Sequence, residues 1–225
     1  MKIFNHCGQE RGPRNISQEI DVRLADSDDG DPGASWLVVQ HNTGGRSNAY
    51  EFMQFLRTWW HHSDDNAMLA INIKEDGLAL YIREVLAEVG LPRHRYFCFD
   101  MSQAERRVYI AAGLSIAAKV SKYGIENPFG DYIWFDWDPI FAPDGTRRND
   151  PSKLYVPMVC ICRDYYGIGQ EKLIEKKIIA ISPDLYGVTN VRVIHKLWDF
   201  AKNNGFFGIC TDMPGEAEEY FHAAP

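Results

Sequence analysis

The chain has 225 residues, 45% of them hydrophobic and 24% charged, with a formal net charge of −7. That length and apolar content suit a single domain spanning 1–225, and an acidic chain without a long basic run argues against nucleic acid as a partner. Cys7, Cys98, Cys160, Cys162 and Cys210 form an odd set spread through mostly apolar segments, which favours reduced thiols in a cytoplasmic protein over a disulfide framework.

The opening MKIFNHCG turns polar too early for a signal peptide, and no window approaches the roughly 20 apolar residues of a membrane span. Short apolar runs then recur along the chain: KIFNH (2–6), EIDVRL (19–24), WLVVQH (36–41), MLAINIK (68–74), YFCFDMS (96–102), SIAAKVS (115–121), YIWFDWD (132–138), KIIAISPD (177–184) and FGICTD (207–212). Each is a strand candidate closing on polar or ionisable residues.

Helical patterns lie between many of them. Ser47 precedes the apolar stripe Phe52, Met53, Phe55, Leu56, Trp59 and Trp60, and Asp76 precedes Leu80, Val85, Leu86 and Val89 with a stop at Gly90. Ser102 with Glu105 fits a capping box, and Val193, Ile194, Leu197, Trp198 and Ala201 share one helical face before Asn203-Asn204-Gly205. Strands alternating with helices predict an α/β TIM (β/α)8 barrel.

The runs outnumber the eight strands of such a barrel by one, but only the turn-rich DSDDGDPGAS separates EIDVRL from WLVVQH, so those two are expected to form a hairpin extending one barrel strand. The Pro- and Gly-punctuated stretch from Pro139 to Lys176, after the sixth barrel strand, reads as an excursion carrying a helix around Lys153 to Tyr166.

Period-two geometry places Glu19 and Asp21 on one strand face, with Ile20 and Val22 on the other. Adjacent like charges are unfavourable without a positive charge between them, and a divalent cation held by hard oxygen ligands would supply it. Solvation, or pairing with Arg11, Arg14 or Arg23, would serve as well. His6 and His41 end the runs on either side, and each is a candidate general acid or base near neutral pH. Asn72 and Lys74 share a face of their strand: Asn72 offers a neutral oxygen ligand, whereas Lys74 faces either a phosphate or an acidic neighbour such as Asp100 or Asp136. Lys119, Asp136, Ser182 and Asp212 hold comparable strand-end positions, with Trp134 as a wall of the pocket. Cys160 and Cys162 lack the second pair a zinc site needs, and His61 and His62 in WWHHSDD suit a helix C-terminus.

His6, Glu19-Ile20-Asp21-Val22, His41, Ile71-Asn72-Ile73-Lys74 and Cys210-Thr211-Asp212-Met213-Pro214 together resemble the glycerophosphodiester phosphodiesterase family of the phosphatidylinositol-specific phospholipase C-like superfamily. The stretches LAINIKEDGL, YFCFDMS, IWFDWD and ISPDLYG resemble a short bacterial branch associated with capsular or surface polysaccharide synthesis. The resemblance implies a TIM barrel and a phosphoric diester hydrolase. His6 and His41 would be its catalytic acid/base pair, and Glu19, Asp21 and Asn72 its site for magnesium or calcium. Lys74, Lys119 and Trp134 would take the phosphate and the rest of a small glycerophospho or sugar-phosphate diester. Three departures stand out: Cys7 replaces the Arg after the first His, Asn42 replaces the Asp after the second, and Asn72 replaces the third metal-binding Glu. They leave open an accessory protein that binds such a ligand without turnover.

Overall fold

A computed structural model of the chain describes residues 1–6, 16–25, 37–40, 50–121, 124–126, 130–136, 158, 164 and 175–222. Its strands are β1 (Lys2–Asn5), β2 (Ser17–Leu24), β3 (Leu37–Val39), β4 (Tyr50–Glu51), β5 (Leu69–Ile73), β6 (Tyr96–Phe99), β7 (Ala117–Ser121), β8 (Gly124–Ile125), β9 (Tyr132–Asp136), β10 (Lys177–Ile181) and β11 (Gly208–Thr211). Its helices are α1 (Phe52–His62), α2 (Ala79–Val89), α3 (Gln103–Ala111), α4 (Val191–Asn203) and α5 (Pro214–His222). Eight strands, β1, β2, β5, β6, β7, β9, β10 and β11, pair in parallel, and their alternation with helices is that of an irregular (β/α)8 barrel. Two compact units make up the chain: Met1–Asn5 with Ala117–Pro225, and His6–Ile116.

In the His6–Ile116 unit, β2 lies parallel to β5 and β5 parallel to β6. The predicted hairpin is present, since β3 runs antiparallel to β2 and β4 antiparallel to β3. Ile20, Val22, Leu69, Ile71, Ile73, Tyr96 and Cys98 turn one face of this sheet toward Phe52, Phe55, Trp59, Ile82, Leu86 and Tyr109 of the helices. Burying such side chains contributes about 1.5–3 kcal/mol each, which fixes the register, because a slip by one residue would invert both faces.

Helix α1 begins at Phe52, directly after β4, so the start expected behind Ser47 falls four residues early; Ser47 itself lies outside the described residues. Helix α2 stops at Gly90, whose φ of 71° is the left-handed conformation that glycine adopts without a Cβ penalty. Ser102 caps α3 by accepting from the Glu105 amide at 3.3 Å. The turn between α1 and β5 is clamped by buried Arg95, which donates to the carbonyls of Ala67 at 2.5 Å and Asp64 at 2.6 Å and lies 4.7 Å from the Trp60 ring centre. The Asp64 carbonyl also accepts from the Ala67 amide at 2.8 Å, so Arg95 adds to a closed turn just before β5.

The other unit carries a parallel sheet in the order β1-β11-β10-β9-β7, with β8 antiparallel to β7. Ile3, Val120, Ile133, Phe135, Ile178, Ala180 and Ile209 pack with Ile194, Leu197, Trp198 and Ala201 of α4. Most of the expected excursion after β9, with its helix around Lys153 to Tyr166, lies outside the described residues, although Met158 is buried and joins this core. No helix among the described residues is long and apolar enough to cross a membrane.

Gly208 is required by close approach of backbone. A Cβ there would stand 2.9 Å from the Lys2 carbonyl oxygen and 3.1 Å from the Phe4 ring, so β1 and β11 must separate to admit one. Gly208→Ala is therefore expected to cost about 1–3 kcal/mol of unfolding free energy, as overpacked sites do, read as a lowered urea midpoint at unchanged slope.

Candidate functional site

Strand β2 sends Ile20 and Val22 toward the helices and leaves Glu19 and Asp21 on the opposite face, both almost fully buried at 3% and 1% exposure. Its parallel register with β5 sets Asp21 beside Asn72 and Glu19 beside Ala70. Asn72 Nδ2 donates to Glu19 Oε1 at 3.1 Å. Lys74 Nζ lies 2.7 Å from Asp21 Oδ1. The Lys74 amide donates to the Val22 carbonyl at 3.1 Å, carrying the ladder one residue past β5. His6 Nε2 approaches Glu19 Oε2 at 4.0 Å. Five of the residues singled out from sequence, His6, Glu19, Asp21, Asn72 and Lys74, thus meet within one unit.

Electrostatics in this cluster are dominated by burial. Loss of water raises the Glu19 carboxyl above its ordinary range, and the Asp21 charge pushes it the same way; His6, the Asn72 hydrogen bond and Lys74 act in the opposite direction. Asn72 Oδ1 is buried with no hydrogen-bond partner among the described residues, an acceptor whose desolvation nothing there offsets. No group of three His, Cys, Asp or Glu side chains among the described residues is arranged for a metal. A mixed set of hard oxygens does exist: the carboxylates of Glu19 and Asp21 with the orphan amide oxygen of Asn72. Its chemistry suits magnesium or calcium, with only two negative ligands in place of three.

The alternatives weighed for these carboxylates resolve unevenly. Lys74 has an acidic partner, and that partner is Asp21; Asp136 instead engages Lys119 at 3.9 Å. Arg23 donates to the Gln40 carbonyl at 3.2 Å and lies 4.0 Å from Glu75. His41, Arg11, Arg14, Cys7 and Asn42 lie outside the described residues. The Gln40 amide, one residue before His41, donates to the Asp21 carbonyl at 3.0 Å, which ties the end of β3 to the carboxylate strand.

Lys119 and Trp134 belong to the other unit, where they are register partners on β7 and β9. With Asp136 they share the face turned away from Val120, Ile133 and Phe135. Tyr186, a residue sequence reasoning passed over, donates from its hydroxyl to Asp136. Asp184 was also missed: its Oδ2 accepts from the Thr211 hydroxyl at 2.8 Å and from the Asp212 amide at 2.7 Å, bracing the Thr-Asp-x-Pro turn. Ser182 serves packing, accepting from the Trp198 indole at 2.9 Å. The available signal for Asp184 and Tyr186 was their place in SPDLYG, directly after a strand, where barrel folds collect functional groups.

The raised Glu19 carboxyl generates a pH prediction. The folded chain holds the Glu19 proton more tightly than the unfolded chain, so this group favours folding most below about pH 4.5, its ordinary pKa, and that contribution is lost as pH rises through its elevated folded value. Glu19→Gln retains an acceptor for Asn72 while deleting the charge. It is expected to raise the melting temperature at pH 7 in chelator and to flatten the dependence of stability on pH above 4.5, the starting point of the Glu19 shift, measured by thermal melts across pH.

No protein-family model matches the chain, and no curated protein matches it. Solved structures do. A glycerophosphoryl diester phosphodiesterase from Parabacteroides distasonis is 13% identical with a TM-score of 0.61, the match covering 99% of this chain and 86% of that one. A glycerophosphodiester phosphodiesterase from Agrobacterium tumefaciens is 15% identical with a TM-score of 0.55, covering 100% of both chains. A phosphodiesterase from Oleispira antarctica, solved in complex with the product sn-glycerol-3-phosphate, is 12% identical with a TM-score of 0.55, covering 99% of this chain and 97% of that one. The chain therefore has the fold of the glycerophosphodiester phosphodiesterase structures along essentially its whole length.

Proposed function

We propose that the chain is a phosphoric diester hydrolase of the glycerophosphodiester phosphodiesterase kind, acting on a small glycerophospho or sugar-phosphate diester with a divalent cation. The observation that carries this reading is the convergence of His6, Asn72 and Lys74 on the Glu19 and Asp21 carboxylates of β2. The shared fold of the solved phosphodiesterases, one of them holding sn-glycerol-3-phosphate, supports it.

In this reading Glu19, Asp21 and Asn72 Oδ1 hold magnesium or calcium, which would orient the diester and offset charge on its oxygens. Lys74 contributes a compact positive charge to the phosphate. His6 and His41 divide the proton work: one accepts the proton of the attacking hydroxyl, from water or from a neighbouring hydroxyl of the substrate, and the other protonates the leaving oxygen. Glu19, 4.0 Å from the His6 ring, favours the imidazolium that proton transfer creates. In the other unit Lys119 is held by Asp136 and Asp136 by Tyr186. His6 directly follows β1 and Lys74 directly follows β5, at strand carboxyl ends, the productive side of this fold.

The test is a panel of glycerophospho and sugar-phosphate diesters assayed with chelator, magnesium or calcium, beside His6→Ala and His41→Ala. Hydrolysis is expected only with added cation, and each histidine variant should lose roughly 10²–10⁴-fold in kcat, the usual weight of a general acid or base. Full activity in either variant would sink the assignment. Ligand binding without hydrolysis under every cation would select the accessory-protein reading that Asn72 and Cys7 leave open.

A further inference from the structure

The Lys74 ammonium lies against the same carboxylate that the proposed cation needs. Asp21 has a side-chain exposure of 2% and is paired at 2.7 Å with Lys74, whose side chain is 22% exposed. Asn72 brings no charge of its own, and of the groups on this face Glu19 and Asp21 set two negative charges against the single positive charge of Lys74. The Lys74 backbone is fixed by its bond to the Val22 carbonyl, so the four-carbon stem alone decides where the ammonium goes.

We infer that Lys74 is an internal placeholder for the cation: it holds Asp21 while the cation is absent, and cation binding displaces its ammonium toward the phosphate. This inference rests on the cation reading given above and adds an order and a coupling to it. A cation within coordinating distance of Asp21 Oδ1 would stand only a few ångströms from an ammonium left in place, and the repulsion is relieved when the side chain swings away. A displaced Lys74 then has no counter-ion until a phosphate arrives. Cation and phosphate should consequently bind cooperatively, each raising the affinity of the other by the same factor. The same arrangement keeps the buried Asp21 carboxylate paired between turnovers, a role an uncharged side chain at position 74 could not fill.

The experiment is isothermal titration of magnesium and of calcium into the wild-type chain, Lys74→Met and Asp21→Asn, each with and without inorganic phosphate, with circular dichroism confirming the fold. Lys74→Met is expected to bind the cation alone about tenfold more tightly than wild type, equivalent to ~1.4 kcal/mol of removed competition. Phosphate should tighten cation binding in the wild type and leave it unchanged in Lys74→Met, and Asp21→Asn should abolish it. Equal or weaker cation binding by Lys74→Met overturns the placeholder and leaves the cation site standing. Absence of cation binding by both wild type and Lys74→Met overturns the cation reading, and the placeholder with it. Should Lys74→Met fail to fold, the wild type decides alone: cation affinity unmoved by phosphate overturns the inference, and enhancement in both directions by one factor supports it.

Discussion

Two carboxylates buried side by side on one strand face are the constraint around which the His6–Ile116 unit is organised. Glu19 and Asp21 are shut off from water, and among the described residues the Asn72 amide donates to Glu19, the Lys74 ammonium pairs with Asp21 and the His6 ring lies 4.0 Å from Glu19. An arrangement of this kind costs stability, because burying unlike charges seldom repays their desolvation in full. It persists here beside a large apolar investment on the reverse of the same strand, where Ile20 and Val22 are fully buried against helices. The two faces of β2 thus have separate tasks, one stabilising and one chemical.

The same division recurs in the other unit. Ile133 and Phe135 of β9 pack into the core with α4, while Trp134 and Asp136 turn the other way beside Lys119 and Ser121 of β7. Beyond the strands the polar groups are braced by short local contacts. Asp184 holds Thr211 and the Asp212 amide, the Thr211 hydroxyl accepts from the Met213 amide at 3.0 Å, and Tyr186 steadies Asp136. Bracing of this type limits rotamer freedom at strand ends, and orientation is the main thing a positioned charge contributes to a phosphoryl reaction.

Asn72, a neutral amide beside two carboxylates, sets the charge balance of the site. An amide satisfies Glu19 by donation, which a carboxylate could not do, and it presents an oxygen without adding charge. In the proposed reading a cation here would meet two negative ligands, and affinity in oxygen-ligand sites rises with ligand charge. Lys74 gains weight for the same reason: with two carboxylates instead of three, one ammonium neutralises half of their charge.

The sequence by itself determined the alternation of strands and helices, the extra hairpin, the carboxylate face of β2 and the stops at Gly90 and Asn203, because periodicity, capping and turn chemistry act over a few neighbouring residues. It also placed the polar residues at strand ends, where a local pattern meets a general property of the fold. The strand-end roles of Asp184 and Tyr186 and the clamp of Arg95 were not legible, since each depends on partners 27 to 50 residues away whose position no local rule specifies. Tertiary structure alone decided that Lys74 would pair with Asp21 and that Asn72 would turn its amide to Glu19. Both follow from the parallel register of β2 and β5, which sets Asp21 opposite Asn72 across a separation of 51 residues and is fixed by the apolar side chains on the far side of the sheet.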